Sequence, residues 1–115
     1  MEVFGKVRGF LMTVGAIDKI AEMCPDGEFE RLFELFGENV PTAKQLKNAG
    51  KLIVIMNEGF EEFMACNDPD YTPDPLTLRQ VYALPIDKIN KLEEEALKAA
   101  VPDSKVETEP NSKKK

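Results

Sequence analysis

Residues 67–75, with the sequence NDPDYTPDP, have the composition of a metal-binding loop, because oxygen-bearing side chains are concentrated between three prolines. A calcium loop of the EF-hand type needs oxygen ligands at alternate positions, a glycine at position 6 and a bidentate glutamate at position 12. Counted from Asp68, those two positions hold Pro73 and Arg79. The spacing therefore predicts no metal site in this segment.

The three prolines favour a rigid connector instead. Each proline fixes its own φ and pushes the residue before it toward an extended conformation, so the segment cannot curl around an ion. Asp74 followed by Pro75 matches a helix N-cap followed by proline at the first helical position. We therefore predict that the connector ends by starting a helix at this pair.

Residues suited to catalysis are scarce in the rest of the chain. There is no histidine, so the commonest general base at neutral pH and the usual partner of a serine or cysteine nucleophile are missing. No glycine-rich phosphate-binding loop is present. The paired carboxylates at 61–62 and 93–95 are explained most simply as solvated helix faces. We predict no catalytic residue, no cofactor and no enzymatic activity.

The two cysteines, Cys24 and Cys66, lie far apart in the sequence. Zinc sites need clustered cysteine and histidine ligands, so no zinc site is predicted. A disulfide is conceivable. Two cysteines without an export signal nevertheless favour buried thiols in a reducing cytoplasm.

The charge composition limits the classes of partner. The chain has 15 basic and 21 acidic residues, a net charge of −6, which repels the phosphate backbone of nucleic acids and anionic membrane surfaces. The N-terminus lacks the pattern of a signal peptide, and no apolar run approaches the roughly 20 residues of a membrane span. We predict a cytoplasmic protein with no nucleic-acid or membrane partner, and homo-oligomer formation stays open.

The N-terminal residues predict a hairpin followed by a helix. Residues 2–12 alternate loosely around Gly5 and Gly9, which favours a short hairpin. Thr13 is expected to cap the first helix and Pro25 to end it. The apolar positions at helical spacing, expected to face the core, are Val14, Ile17, Ile20, Ala21 and Cys24.

A second helix is expected between Asp26 and Gly37. Asp26 has the side chain of an N-cap, and Gly37 stands where a left-handed C-terminal residue is common. The apolar residues of this helix, expected to pack in the core, are Phe29, Leu32, Phe33, Leu35 and Phe36.

Thr42 begins the longest predicted helix. Two apolar series spaced by seven residues run along it, and they comprise Leu46, Ile53 and Phe60, and Ala49, Met56 and Phe63. Residues 52–56, LIVIM, are consecutively apolar and could instead form a buried strand. The series continue on both sides of this run, which favours a helix.

Val54 and Ile55 fall on an otherwise polar face of this long helix, among lysines and glutamates. Either another helix of the same chain covers them or a partner protein does, and both possibilities stay open. They are the candidate partner-binding residues. If a partner covers them, charged replacements should weaken its binding and leave the fold intact.

The C-terminal part predicts two helices and a polar tail. A short helix over 76–84 is expected to point Leu78, Val81 and Tyr82 inward, and Pro85 is expected in the first turn of a last helix. The inward positions of that helix are Ile89, Leu92, Ala96 and Ala100. Pro102 should end it. Residues 102–115 contain a single apolar residue and are predicted to be disordered.

These elements predict a mainly α fold, a compact bundle of about five helices with a short N-terminal β-hairpin. The helical domain is expected to span residues 1–101, and the polar tail residues 102–115.

The order of the elements resembles a known family. A turn at 4–6 (FGK) leads to MTVGAIDKIAEMCPDG at 12–27, then KLIVIMNEGFEEF at 51–63 and DPLTLRQVYALPIDKINKLEEEAL at 74–97. This pattern is similar to the small tail assembly chaperones of long-tailed bacteriophages and prophages. The resemblance covers about residues 3–101, and no single motif carries it.

The resemblance implies a function that the composition does not exclude. Members of this family bind the aggregation-prone tape measure protein, keep it soluble and help tail tube subunits assemble around it. A generic prophage-encoded interaction module, such as an inhibitor of a host protein, is the alternative. The family is commonly made in two lengths by ribosomal slippage, so the codons of lysines 113–115 are an expected slippage site.

Overall fold

The computed structural model describes residues 1–100. The predicted tail, the domain boundary at residue 101 and lysines 113–115 lie outside the described residues. The elements are β1 Glu2–Val3, β2 Lys6–Val7, α1 Val14–Met23, a 3₁₀ helix Phe29–Phe36, α2 Thr42–Asn67, α3 Leu78–Tyr82 and α4 Ile86–Ala100. The predicted fold class, mainly helical with a short N-terminal hairpin, is confirmed.

The hairpin is built around a two-residue turn and one buried arginine. β1 and β2 pair antiparallel, with Val3 opposite Lys6, and both turn residues, Phe4 and Gly5, have positive φ, as type I′ turns require. The buried Arg8 side chain donates from Nε to the carbonyl oxygen of Val3 at 3.0 Å and from Nη2 to that of Phe4 at 3.4 Å. Arg8 thus fixes a hairpin that is too short to be stable alone.

α1 begins and ends as predicted, but its buried stripe differs. Thr13 Oγ1 accepts a hydrogen bond from the backbone N–H of Ala16 at 3.0 Å, and the helix ends before Pro25. Val14 is 85% exposed and Ile17 is also exposed, so the predicted inward positions are wrong for these two residues. The face of α1 that packs in the core contains every fourth residue. The buried side chains on this face are Ala16, Ile20 and Cys24.

The prediction that Asp26 caps a second α-helix is wrong. Asp26 lies within a single 3₁₀ turn, Pro25–Gly27, with positive φ, and its carboxylate accepts a hydrogen bond from Arg31 Nη1 at 2.8 Å. Glu28 precedes the following helix without a side-chain cap. Gly37 is extended, with φ −72° and ψ 167°, and not left-handed.

The segment Phe29–Phe36 is a 3₁₀ helix, which changes which side chains are buried. Such a helix repeats every three residues, so Leu32 and Leu35 align and are both buried. Phe33 points away and is 56% exposed, contrary to the prediction that it packs in the core.

α2 is the central element of the fold and contacts α1, α3, α4 and the 3₁₀ helix. It begins at Thr42, as predicted, and continues through residues 52–56 without interruption, so the strand alternative is wrong. The buried members of the two predicted series are Ala49, Ile53 and Met56. Phe63, near the end of the helix, is exposed.

The chain between the hairpin and α1 lies directly on the backbone of α2. Leu11 N–H donates to the carbonyl oxygen of Met56 at 3.1 Å, and Asn57 Nδ2 donates to that of Gly9 at 2.9 Å. A Cβ atom on Gly59 would lie 2.9 Å from the carbonyl oxygen of Leu11. A glycine in the middle of α2 therefore permits this close approach.

The connector ends differently from the prediction. Asp74 and Pro75 do not start a helix, because α3 begins at Leu78. Thr77 caps α3 through a capping box with Gln80, in which each side chain accepts a hydrogen bond from the other residue's backbone N–H. This reciprocal cap satisfies two N–H groups that the aspartate-proline pair would not.

α4 buries three of the four side chains predicted to face inward, and Ala100 is partly buried, whereas α3 buries one of three. The buried residues of α4 are Ile89, Leu92 and Ala96. Pro85 directly precedes the helix, and its carbonyl oxygen accepts the first hydrogen bonds. In α3 only Val81 is buried, while Leu78 and Tyr82 are exposed, so the predicted inward positions are wrong for these two residues.

Two groups of buried side chains form the core. One joins β1, the end of the connector, α3 and α4 to α2, and the other joins α1, the 3₁₀ helix and the end of α4 to α2. α2 contributes to both groups, so the core is built around this helix.

Candidate functional site

An open groove, here called the α2–α4 groove, runs between α2, α3 and α4. Its apolar part has a volume of about 310 Å³ and is lined by Leu46, Lys47, Val81, Tyr82, Leu84, Ile86 and Ile89. Its polar part, about 230 Å³, shares two of these side chains and is lined by Thr42, Gln45, Leu46, Ile86, Asn90 and Glu93. The two depressions adjoin at these shared residues; the first is here called the apolar end of the groove, and the second, which carries the polar side chains Thr42, Gln45, Asn90 and Glu93, the polar end.

The apolar end leaves large side chains uncovered. Ile86 is 61% exposed and Tyr82 is 47% exposed. Because α3 is short and is followed by the turn that precedes α4, these two side chains stand at the mouth of the groove instead of reaching the core. Exposed apolar side chains that line a depression with a polar border are typical of binding surfaces.

Gly50 shapes the wall that Tyr82 forms. Gly50 is buried in α2, and a Cβ atom there would lie 2.7 Å from Cε1 of Tyr82. The aromatic ring therefore packs against the helix where a side chain is missing. Val81 also lies against α2 at this glycine, and both side chains line the groove.

Glu93 is a half-buried carboxylate at the polar end. Burial raises the pKa of Glu93, and its carboxylate forms no salt bridge within residues 1–100. Gln45, which shares this part of the groove, uses its amide group to donate to the carbonyl oxygens of Gly37 and Val40. The groove therefore presents an unpaired, half-buried carboxylate next to its apolar surface, and the prediction of a solvated helix face is wrong for Glu93.

A second cluster of functional groups surrounds Glu61, which is 0% exposed. Its Oε1 accepts hydrogen bonds from Lys6 Nζ, the hydroxyl of Tyr71 and the backbone N–H of Asp74, each at 2.8 Å. Its Oε2 is buried and has no hydrogen-bond partner within residues 1–100. The prediction that Glu61 lies on a solvated helix face is wrong.

The Glu61 cluster fastens the connector to α2 and to the hairpin. Arg8 donates to the carbonyl oxygen of Asp74, and the Lys6 ammonium group lies 4.6 Å from the centre of the Tyr71 ring. Nearby, Leu76 N–H donates to Asn57 Oδ1 at 2.8 Å. The acidic, proline-rich segment thus serves as a strap held by a buried carboxylate.

The ionisation of Glu61 should make the stability of the fold pH-dependent. Burial alone raises the pKa of Glu61, but the hydrogen bonds from Lys6, Asp74 and Tyr71 and the charge of Lys6 outweigh it and lower the pKa. A folded-state pKa below the unfolded value stabilises the fold above the unfolded pKa, and this stabilisation is lost as the pH falls through the folded pKa.

We therefore expect the free energy of unfolding to fall more steeply below pH 4.5 in the wild type than in Glu61→Gln. Urea denaturation at pH values from 7 to 3 measures this difference. Glu34→Gln is the matched control. Hydrogen bonding to Arg31 also lowers the pKa of Glu34, but Glu34 is exposed, so this substitution should leave the pH profile close to that of the wild type. Identical pH profiles for the wild type and Glu61→Gln would contradict the assignment.

Val54 and Ile55 are partly buried in α2. Val54 packs against the core group that includes Ile53 and Val81, and Ile55 packs against the group that includes Leu52 and Met56. Their assignment as partner-binding residues stays a prediction. Thermal unfolding of Val54→Asp and Ile55→Asp tests it, because a partner-binding residue keeps the wild-type melting temperature and a core residue lowers it by several degrees.

The remaining sequence predictions concern cysteines, metals and membranes. Cys24 is a buried free thiol and Cys66 an exposed one, so the prediction of two buried thiols is wrong for Cys66, which lies on the solvent side of α2. Within residues 1–100, no three cysteine, aspartate or glutamate side chains are placed to share a metal ion. No helix in this part of the chain has the length and apolarity to cross a membrane.

Sequence reasoning missed the groove and the buried carboxylate for different reasons. Periodicity alone does not show that α3 stops after one turn, so the sequence predicts a core position for Tyr82 and indicates no role for Ile86. Gly50 and Gly59 were the available signal. Glycine costs about 1 kcal/mol inside a helix, so two glycines in one long helix indicate that other parts of the chain approach its backbone.

Comparison of the chain with protein-family models, with curated proteins and with solved structures gives no match.

Proposed function

We propose that this chain is a non-enzymatic phage tail assembly chaperone. It binds the tape measure protein in the cytoplasm of the bacterial host, keeps it soluble, and helps tail tube subunits assemble around it. The order of elements resembles this family, and the α2–α4 groove is a surface suited to binding the tape measure protein.

The observation that carries the proposal is the α2–α4 groove. Its apolar end exposes Ile86 and Tyr82 beside a lining of Leu46, Leu84 and Ile89. Amphipathic helices bind proteins by placing an apolar face in a groove of this kind. A long protein that presents such helices before assembly would be protected from aggregation by being covered there.

The shape of the groove favours a helix over a small molecule. A small-molecule site commonly encloses most of its ligand in a concave pocket. Here Ile86 and Tyr82 stand exposed at the mouth, and a second depression adjoins the first at Leu46 and Ile86. An elongated ligand with one apolar side is the better match.

The charge of the chain suits a soluble carrier. The net charge of −6 opposes self-association of molecules that each expose an apolar groove. An acidic carrier of this kind can therefore remain dispersed while its groove is empty.

Co-expression tests the proposal. The tape measure protein from the same phage or prophage genome is produced with and without this chain, and the soluble fraction is measured after centrifugation. We expect the tape measure to be soluble only with this chain and to co-purify with it. A tape measure that stays equally insoluble in both cases would contradict the proposal and favour the prophage-encoded interaction module.

A further inference from the structure

We propose that the α2–α4 groove selects amphipathic helices that carry a lysine or arginine beside their apolar face, and that Glu93 receives this cation. The inference rests on the proposed use of the groove as a helix-binding site. It adds the charge pattern by which a suitable partner helix is recognised.

The dimensions of the groove set the length of the recognised segment. Ile86 and Glu93 lie seven residues apart in α4, about 10 Å at 1.5 Å per residue. Both line the groove, Ile86 in both parts and Glu93 in the polar part only. A bound helix would therefore present about two turns of apolar side chains and then one polar position.

The chemistry of that polar position follows from the state of Glu93. Its side chain is half-buried and forms no salt bridge within residues 1–100, and Lys47, which lines the apolar end, is exposed to solvent. A helix laid over the groove would remove more water from this carboxylate, which is costly unless the helix supplies an opposite charge. A lysine or arginine meets this need, whereas an acidic residue adds repulsion and is selected against.

The chain's own C-terminal segment is the alternative occupant of the groove. Residues 102–115 contain four lysines but only one apolar residue, Val106. A lysine of this segment could pair with Glu93, but the segment has too few apolar side chains to fill the apolar end beside Ile86 and Tyr82. A partner helix with both an apolar stripe and a cation fits both parts of the groove.

The experiment uses three synthetic 18-residue peptides that share a helix-forming sequence with one stripe of leucines. The stripe is flanked at both ends by lysine, by glutamine or by glutamate, so the result does not depend on the orientation of the bound helix. Binding to the full chain is measured by fluorescence anisotropy at low salt. The variants are Glu93→Gln and, as matched control, Glu94→Gln at the exposed neighbouring position.

We expect the lysine peptide to bind the wild type about three- to tenfold more tightly than the glutamine peptide, the size expected of a partly exposed ion pair. The glutamate peptide should bind most weakly. Glu93→Gln should remove the preference for lysine, and Glu94→Gln should keep it. Equal preferences in these two variants would overturn the proposal.

Two further variants test where the peptide binds and whether the tail competes with it. Ile86→Asp should weaken all three peptides, and unchanged binding would place the peptide outside the groove and overturn the inference. If replacing lysines 113–115 with alanine raises the affinity for the lysine peptide severalfold, the tail occupies Glu93, which also overturns it. An insoluble tape measure combined with a Glu93-dependent lysine preference would reject the proposed function and leave the groove's selectivity standing.

Discussion

Replacing Glu61 with alanine is expected to lower the free energy of unfolding by about 3 kcal/mol, because the change removes one partner from a buried charged cluster. Three donors converge on Glu61 Oε1, from Lys6, Tyr71 and the backbone of Asp74. Without the carboxylate, the Asp74 N–H loses its hydrogen-bond acceptor and the connector loses its attachment to α2. Urea denaturation at pH 7 measures the effect.

The neighbouring residue supplies the control for this prediction. Glu62 has the same side chain and lies one position further along α2, but it is exposed. Glu62→Ala should therefore leave the free energy of unfolding nearly unchanged. If the two alanine variants unfold at the same urea concentration, the Glu61 cluster does not hold the connector.

Replacing Ile86 with aspartate is expected to weaken tape measure binding by roughly tenfold or more, the loss typical of an apolar side chain at the centre of an interface. The substitution places a charge at the mouth of the groove where an apolar face would dock. It should not harm the fold, because Ile86 is the first residue of α4, where a negative charge suits the helix dipole. The soluble fraction of co-expressed tape measure and its co-purification measure the effect.

Val14→Asp is a closely matched control for this variant. Val14 is also exposed, also apolar and also the first residue of a helix, but it lies in α1, away from the groove. Val14→Asp should keep the tape measure soluble. Equal loss in both variants would indicate that any added charge disturbs binding, and loss in Val14→Asp alone would move the docking surface to α1.

The sequence predicted those elements whose signals are local. Thr13 has the side chain of an N-cap, and it caps α1. Apolar residues at a spacing of seven indicated a helix through residues 52–56, and α2 runs through them. Signals of this kind depend on neighbours within one or two turns, and they hold where no distant contact competes for the same residues, as one does at Asp74.

Predictions that depended on distant contacts were less successful. Glu61 is polar and was placed on a solvated face, because nothing near it in the sequence shows that Lys6 and Tyr71 will converge on it. Asp74 carries the side chain of an N-cap, yet its backbone binds Glu61 and Arg8. The groove depends on where α3 stops and on how Tyr82 meets Gly50, and both are settled by packing.

Site-specific photo-crosslinking tests most directly whether the α2–α4 groove is the docking surface. A photoreactive benzoylphenylalanine replaces Tyr82 or Ile86 in the groove, and Phe33, an exposed aromatic residue of the 3₁₀ helix, in the control. Each variant is irradiated after co-expression with the tape measure protein. We predict crosslinks to the tape measure from positions 82 and 86 and none from position 33. Crosslinks from position 33, with none from either groove position, would show that the α2–α4 groove is not the docking surface.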